Sequence, residues 1–310
     1  MNKKQYDLIA IDIAKATLQV QTQQQGFRIT NNKQGFTELL KRTAHLNNPM
    51  VVCEASGGYE RALMAFLFAK TIAVALVNPR RVRAFANSEG IKAKTDPIDA
   101  KALLRFAQEK KLTPMPAPDP TVQQVGALLD RRTHLSDHLA QEKNRLQNCS
   151  PSIAKYIRKM IRFVQKELDA IEKDIRILVR TDQSLKEQDQ TLQSVTGVGE
   201  VSSWTVIAQL GEINHLSRNK IVALAGLAPF NRDSGKFSGK RTIQGGRAKV
   251  RSCLYMAALS AASHNPVIKA YADRLKARGK PHKWVMVAAM RKLLIHLQSL
   301  LRKQQFSLAS

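Results

Sequence analysis

The chain has 310 residues, 44% hydrophobic and 5% aromatic, with three cysteines and a net charge of +26. That is enough apolar material for one large domain or two smaller ones. No bilayer-spanning run of about eighteen apolar residues is expected, no secretory leader ahead of the first strand pattern, and no zinc or disulfide framework from Cys53, Cys149 and Cys253.

A cytoplasmic protein is expected, with its charge concentrated at one end. Residues 191–310 carry 19 basic groups against four acids, Glu200, Glu212, Asp233 and Asp273, a net +15. Such a segment cannot balance itself and seeks a polyanion. A membrane surface is the rival, but no amphipathic terminal helix or lipidation signal accompanies the charge. Nucleic acid is therefore the expected partner, and no membrane is.

Residues 6–13 form an apolar run of strand length broken by Asp12. Thr17–Thr22 alternates as a second strand, and Gly26–Thr30 reads as a third. Asn31 and Asn32 turn the chain into a helix near 35–43, and Met50–Cys53 is a strand ending at Glu54. After Gly57-Gly58 a helix runs to about Lys70, then Thr71–Val77 is a buried strand closed by Asn78-Pro79. The basic segment of Arg80, Arg81 and Arg83 precedes a helix from Pro97 to Lys111. Three strands, helix, strand, helix, strand, helix is a ribonuclease-H-like succession, an antiparallel meander followed by βα units in one mixed sheet. The expected class is α/β plus α, with this first domain at 1–113.

In that fold four acids acquire a joint meaning. Asp12 lies inside an apolar strand, Glu54 ends the strand expected beside it, and Asp96 and Asp99 open the last helix. Taken alone, Asp96, Pro97 and Asp99 make an ordinary capped helix start, and Asp12 can be a solvated edge residue. Taken together at one end of the sheet, four carboxylates repel unless a cation bridges them. Hard oxygen ligands favour Mg²⁺ or Mn²⁺, and phosphoryl transfer is the chemistry such ions support.

Pro114, Pro116, Pro118 and Pro120 read as a stiff linker over 114–120. Beyond it, 121–190 reads as two helices broken at Ser150-Pro151. The second carries Ile157, Ile161, Val164, Leu168, Ile171, Ile175 and Leu178 at alternating four- and three-residue steps. This coiled-coil seam serves either a hairpin or self-association. In the last segment, 191–310, Gly197-Val198-Gly199 before a helix lets backbone amides approach a phosphate, as in a helix-hairpin-helix motif. The stretch 225–241 is a loop by composition, with Ser234 and Ser238 among Arg232, Lys236, Lys240 and Arg241. It reads either as a phosphate-contacting loop or as an activated serine in a cationic setting. Expected nucleic-acid contacts are Arg80, Arg81, Arg83, Lys94, Gly197, Gly199, Arg232, Lys236, Lys240 and Arg241. Helices over 247–263 and 283–301 close the chain.

These motifs resemble the DEDD transposases of the insertion-sequence-110 family, which include Piv-type DNA invertases. The matching residues are Ala10–Lys15, Glu54–Tyr59, Asn78-Pro79, Lys94–Ala100, Gly197–Gly199, Ala225–Pro229 and Asp233–Gly235, continued by Gly246 and by Arg251–Leu254. The resemblance implies a RuvC-like domain, a coiled coil and a C-terminal transposase domain. It implies Asp12, Glu54, Asp96 and Asp99 as the Mg²⁺-binding tetrad, with Ser234 as the nucleophile that forms a covalent phosphoserine link to DNA. It further implies a homo-oligomer, dimer or tetramer, in which tetrad and serine meet from different protomers, guided by a structured RNA from the same element. Ser56 stands where the family commonly has Thr, and Thr196 where it commonly has Pro. A RuvC-type junction nuclease using water is the rival enzyme, and a catalytically dead nucleic-acid scaffold the rival binding protein.

Overall fold

Alternating apolar residues build the first sheet. β1 (Asp7–Ile13), β2 (Thr17–Gln21) and β3 (Gly26–Thr30) form an antiparallel meander. α1 (Lys33–Arg42) follows, with the Asn32 side chain accepting from the Gly35 amide as its N-cap. Gly35 is required here, because a Cβ would lie 1.9 Å from the Thr30 carbonyl oxygen. β4 (Pro49–Glu54) pairs parallel with β1, α2 (Arg61–Ala69) crosses over, and β5 (Ala73–Val77) pairs parallel with β4. The strand order is β3-β2-β1-β4-β5, a mixed sheet compatible with the ribonuclease-H-like expectation.

The computed structural model describes residues 5–91, 95–110, 112–230, 233–234, 237–239 and 241–308, with the backbone alone for 233–234, 237–238 and 306–308. Lys94, Arg232, Lys236 and Lys240 lie outside the described residues. The chain divides into two compact units, Met1–Ala117 and Pro118–Ser310.

In the first unit the two sheet faces carry separate cores. Ile9, Ile11, Val51 and Val74 pack with Phe36, Leu39, Leu63 and Leu67 on one face. Ala10, Met50, Val52, Ala75 and Val77 pack with Val82, Phe85, Leu103 and Phe106 on the other. Burial on both sides is why β1 and β4 read as nearly continuous apolar runs. The second core is supplied by α3 (Pro79–Ser88) and α4 (Asp96–Lys110). Asn78 caps α3 by accepting from the Arg80 amide, with Pro79 in its first turn, so the basic segment of Arg80, Arg81 and Arg83 is the start of a helix.

The proline stretch is anchored at both ends. The Met115 amide donates to the Val74 carbonyl at 2.8 Å, and Pro120 opens the first helix of the second unit behind the capping side chain of Asp119. Alternate prolines leave the intervening amides free to donate, which is how Met115 pairs with the edge of β5.

The second unit begins with α5 (Pro120–Gln147) and α6 (Pro151–Thr181), an antiparallel hairpin. Leu135, Leu139, Val164 and Leu168 meet along it, with Ile161 and Ile171 partly buried beside them. The regular spacing on α6 is thus met within the chain by α5. At its root, Val125, Leu129, Ile175 and Val179 join a larger core with Trp204, Ile207, Leu254 and Leu293. That core gathers α7 (Gln183–Gln193), α8 (Glu200–Gln209), α9 (Arg218–Leu224), α10 (Ala248–His264), α11 (Pro266–Ala277) and α12 (His282–Leu308). Four two-residue strands lie between α9 and α10: β6 (Pro229–Phe230), β7 (Asp233–Ser234), β8 (Phe237–Ser238) and β9 (Thr242–Ile243). α12 is long and apolar enough to cross a membrane by length and composition alone, but half of that stretch is buried here. Gln298 on it donates to the Ile213 and Leu216 carbonyls at 2.7 and 2.8 Å.

Candidate active site

The strand register places the acids. Asp12 of β1 stands opposite Gln19 of β2, and Gln19 stands opposite Arg28 of β3. On the other side, Ile11 pairs with Cys53 in the parallel ladder, so Asp12 and Glu54 occupy the next position on neighbouring strands. Glu54 itself stands opposite Val77. Directly paired residues share a face, and residues two apart on a strand do too. Asp12 therefore faces the same way as Ala10, and Glu54 the same way as Val52, towards the core that α3 and α4 cover. Neighbouring strands are about 4.8 Å apart, so the two acids stand side by side on that face.

α4 supplies the other two acids. Asp96 and Asp99 are both in its first turn, half-buried. Asp96 is already engaged: its Oδ2 accepts from Arg28 Nη2 at 2.5 Å. Arg28, 68 positions away in sequence, belongs to the same cross-strand row as Asp12. No local pattern marks it, because the row exists only once β1, β2 and β3 pair.

Glu60 is a second residue here without a sequence signal. Its Oε2 accepts from the Ser56 amide at 3.2 Å, the Ser56 hydroxyl at 2.6 Å and the Gly58 amide at 2.9 Å. Burial would raise its carboxyl, but these hydrogen bonds outweigh it and hold the group below the usual carboxylate range. Glu60 thereby ties down the loop that follows Glu54. Cys53, fully buried beside it, has its thiol pushed up to about 12 by burial, with Glu60 and Glu54 adding to the effect.

The chemistry of this donor set, oxygen-only and on one face, fits a hard divalent ion. Its gathering is incomplete: among the described residues no three His, Cys, Asp or Glu groups stand close enough together to hold a metal. Of the four, Asp96 is paired with the Arg28 guanidinium.

In the second unit the serine loop rises from a tightly built stem. β6 and β9 pair antiparallel, with Pro229 opposite Ile243, so the chain leaves and returns at one place. Within the loop, the backbones of Asp233 and Ser234 pair with Ser238 and Phe237. Below the stem, Gly226 and Gly246 meet back to back. A Cβ on Gly246 would lie 2.2 Å from the Gly226 nitrogen, and both residues have positive φ. Arg247 locks the junction: its guanidinium donates to both Glu212 oxygens at 2.7 and 2.8 Å and to the Gln209 carbonyl. Burial raises the Glu212 carboxyl, but Arg247's hydrogen bonds and charge outweigh it and leave it below the usual range. Glu212 and Arg247 are 35 residues apart, so neither draws notice in the sequence.

The two glycines of Gly197-Val198-Gly199 do different things. Gly197 has φ +102 and lies against α10, where a Cβ would come within 2.7 Å of Ala261. Gly199 precedes α8 with open space around it. Glu200, in the first turn of α8, is bound by Arg176 at 2.6 and 2.8 Å. Arg176's hydrogen bonds and charge hold its carboxyl below the usual range against the effect of burial. Arg80, Arg81, Arg83 and Arg241 are exposed, with Arg81 also 5.6 Å over the Phe106 ring.

Two family models match this chain. A DEDD transposase model of the IS110 type covers residues 9–149, and a model described as transposase IS116/IS110/IS902 family covers residues 189–273. The pilin gene-inverting protein of Moraxella bovis is 30% identical over 310 residues, covering 96% of each chain. Its counterpart in Moraxella lacunata matches at the same identity and coverage. An uncharacterised 42 kDa protein of insertion element IS900 from Mycobacterium paratuberculosis is 38% identical over 88 residues, 28% of this chain and 22% of that one. With 96% of its length matched to gene-inverting relatives and residues 9–149 and 189–273 matched to transposase models, the chain belongs to the IS110 family of transposases and DNA invertases, and is a DNA recombinase.

Proposed function

We propose that this protein is the cytoplasmic recombinase of an insertion sequence, cutting and rejoining DNA with an acidic tetrad and a serine nucleophile. The observation that carries the reading is the row in which Asp12 and Glu54 stand side by side near the ends of adjacent parallel strands, on the face covered by the helix that starts with Asp96 and Asp99. Asp12, Glu54, Asp96 and Asp99 would hold Mg²⁺, or Mn²⁺ in its place, with Asp96 freed from its pair with Arg28. A bound ion would neutralise phosphate charge and acidify an attacking or leaving hydroxyl.

Ser234 is the nucleophile. Its oxygen forms a bond to a DNA phosphorus, its proton passes to a base or to water, and the bond to one deoxyribose oxygen breaks, leaving that oxygen as a hydroxyl. A hydroxyl of a second strand then attacks the phosphoserine and releases the serine, so the number of phosphodiester bonds is conserved. The rigid stem below the loop supports this role, because a nucleophile needs fixed placement relative to its phosphate. Arg80, Arg81, Arg83, Lys94, Arg232, Lys236, Lys240 and Arg241, with the amides around Gly197 and Gly199, contact phosphates.

The protein acts as a dimer or higher oligomer guided by an RNA of the same element. A stripe on α6 supports self-association: Ile153, Tyr156, Met160 and Phe163 follow helical spacing and are 53%, 64%, 47% and 58% exposed. Domains in this reading are the RuvC-like catalytic part (1–113), the linker (114–120), the coiled-coil hairpin (121–190) and the transposase part (191–310).

The test is a cleavage assay on purified protein with Mg²⁺, the flanking RNA and a DNA junction bearing a labelled phosphate, resolved on a denaturing protein gel. Label travelling with the protein in the wild type and absent in Ser234→Ala supports the serine mechanism. Cut DNA with no protein-bound label would assign the reaction to water, as in a junction nuclease.

A further inference from the structure

The second unit contains a pocket of about 940 Å³, of whose lining the roles above use only Arg241, as a phosphate contact. Its walls come from the β6–β9 stem, α10, α11 and α12, and its interior is apolar, with Leu227, Ile243, Met286 and Met290 among the lining residues. Four cations also line it: Arg241, Arg251, Lys283 and Arg291. No acid is among the described residues that line it. Three aromatic side chains complete it, Tyr255, Tyr271 and Trp284.

The aromatics differ in what already covers them. Tyr271 has Lys292 Nζ 4.5 Å and Arg274 Cζ 5.4 Å from its ring centre. Tyr255 and Trp284 are 40% and 51% exposed, so part of each ring is open to a ligand. Exposed aromatic faces, an apolar floor and a surrounding ring of positive charge are together what a nucleotide requires: stacking for the base and ion pairs for its phosphates. Size selects among nucleic acids. The volume falls within the range of about 300–1,000 Å³ typical of small-ligand sites, which admits a base or two and excludes a duplex.

Position selects the source. The stem of the pocket, Pro229–Phe230 paired with Thr242–Ile243, is the base from which the Ser234 loop departs and to which it returns. A nucleotide held here would sit beside the base of that loop. We propose that this pocket binds an unpaired nucleotide of the DNA strand undergoing exchange, stacked on Trp284 and Tyr255, with its phosphates held by Arg241, Lys283 and Arg291. The proposal rests on the DNA-recombinase reading, but not on Ser234 being the nucleophile. It gives the enzyme a way to favour melted over paired DNA at the exchange point, since duplex bases cannot enter.

The experiment uses the full-length protein and an oligothymidylate of about twelve nucleotides, a length within the usual single-strand site sizes. Of the two tryptophans, Trp204 is fully buried, so quenching of the emission reports on Trp284. Saturable quenching by the single strand, and none by a duplex at equal phosphate concentration, is expected. Fluorescence anisotropy should show Trp284→Ala weakening single-strand affinity by about tenfold, with Trp284→Phe staying within about twofold of wild type. Lys283→Gln should lower the salt slope by about 0.7, one phosphate contact. Equal quenching by duplex and single strand, or unchanged affinity in a folded Trp284→Ala protein, would overturn the proposal. Tighter binding of an oligouridylate would overturn the assignment to DNA. Ser234→Ala should leave the quenching intact, so loss of phosphoserine chemistry and loss of this pocket are read separately.

Discussion

Replacing Arg28 by Gln should strengthen the binding of a divalent ion at the acidic row. Arg28 opposes the ion in two ways. It holds the Asp96 carboxylate at 2.5 Å, with the two side chains 54% and 49% exposed; a pair so open to water is worth about 0–1 kcal/mol. It also places a positive charge two strands from Asp12, or about 10 Å at the usual strand spacing. A divalent ion there is repelled by roughly 0.8 kcal/mol in water without salt, and by about a third of that at 0.15 M, where the screening length is about 8 Å. The two effects sum to about 1 kcal/mol, or close to fivefold in affinity. Free Mn²⁺ can be followed by electron paramagnetic resonance as protein is titrated, a readout that needs no DNA and no turnover. The gain in Arg28→Gln should shrink as salt rises from 0.05 to 0.3 M. It should also fall to the electrostatic remainder in an Asp96→Asn background, because the pair is then already broken. Unchanged or weaker Mn²⁺ binding in Arg28→Gln would refute the idea that Asp96 is exchanged between guanidinium and metal.

Three further outcomes follow from the structure. Glu212→Gln should lower the thermal midpoint at pH 7 by the equivalent of about 1 kcal/mol, the scale of a charged pair partly open to solvent. Because the folded-state pKa of Glu212 is depressed, its contribution is full above the unfolded value near 4.3 and fades as pH falls through the folded one. The gap between wild type and variant in melting curves should therefore close in acid, and a gap that widened in acid would contradict the Arg247 pairing. Gly246→Ala should destabilise the second unit more than Gly245→Ala: both glycines have φ near +70, but only Gly246 would drive a Cβ into Gly226. The shared backbone strain of about 1–2 kcal/mol cancels in that comparison, and equal melting temperatures would remove the steric contact as a cause. Cys53, with a thiol pushed up to about 12, should resist iodoacetamide at pH 8 in the folded protein and react after unfolding in guanidinium; mass spectrometry of the Cys53 peptide decides it.

Much of the first unit could be read along the chain because its signals are local. Apolar runs gave all five strands in their observed order, and Asn78-Pro79 marked where a strand ends. Several helices were not legible: α7, α9 and α11 are short and mostly polar outside, and α7 buries only Leu185 and Leu192. The spacing on α6 indicated a seam but not its partner, which is α5 of the same chain. The prolines of 114–120 read as a stiff linker, and the pairing of Met115 with Val74 and the helix start at Pro120 were not legible there. Proline restricts φ without forbidding its neighbours from donating hydrogen bonds.

The candidate site divides in the same way. The sequence by itself marked the candidates: Asp12 inside an apolar strand, Glu54 at a strand end, Asp96 and Asp99 at a helix start, a +15 segment, and a serine among cations. Only the tertiary structure decided what stands beside them. Strand register aligned Arg28, Gln19, Asp12 and Glu54 in one row, pairing Arg28 with an acid 68 residues away. Close packing set Gly226 against Gly246, and Arg247 against Glu212, to build the stem of the serine loop. Packing of α10, α11 and α12 around that stem formed the aromatic, cationic pocket. Periodicity and helix capping are written in neighbouring residues, but register, close approach and concavity arise between residues far apart in sequence, and these become visible only when the chain is folded.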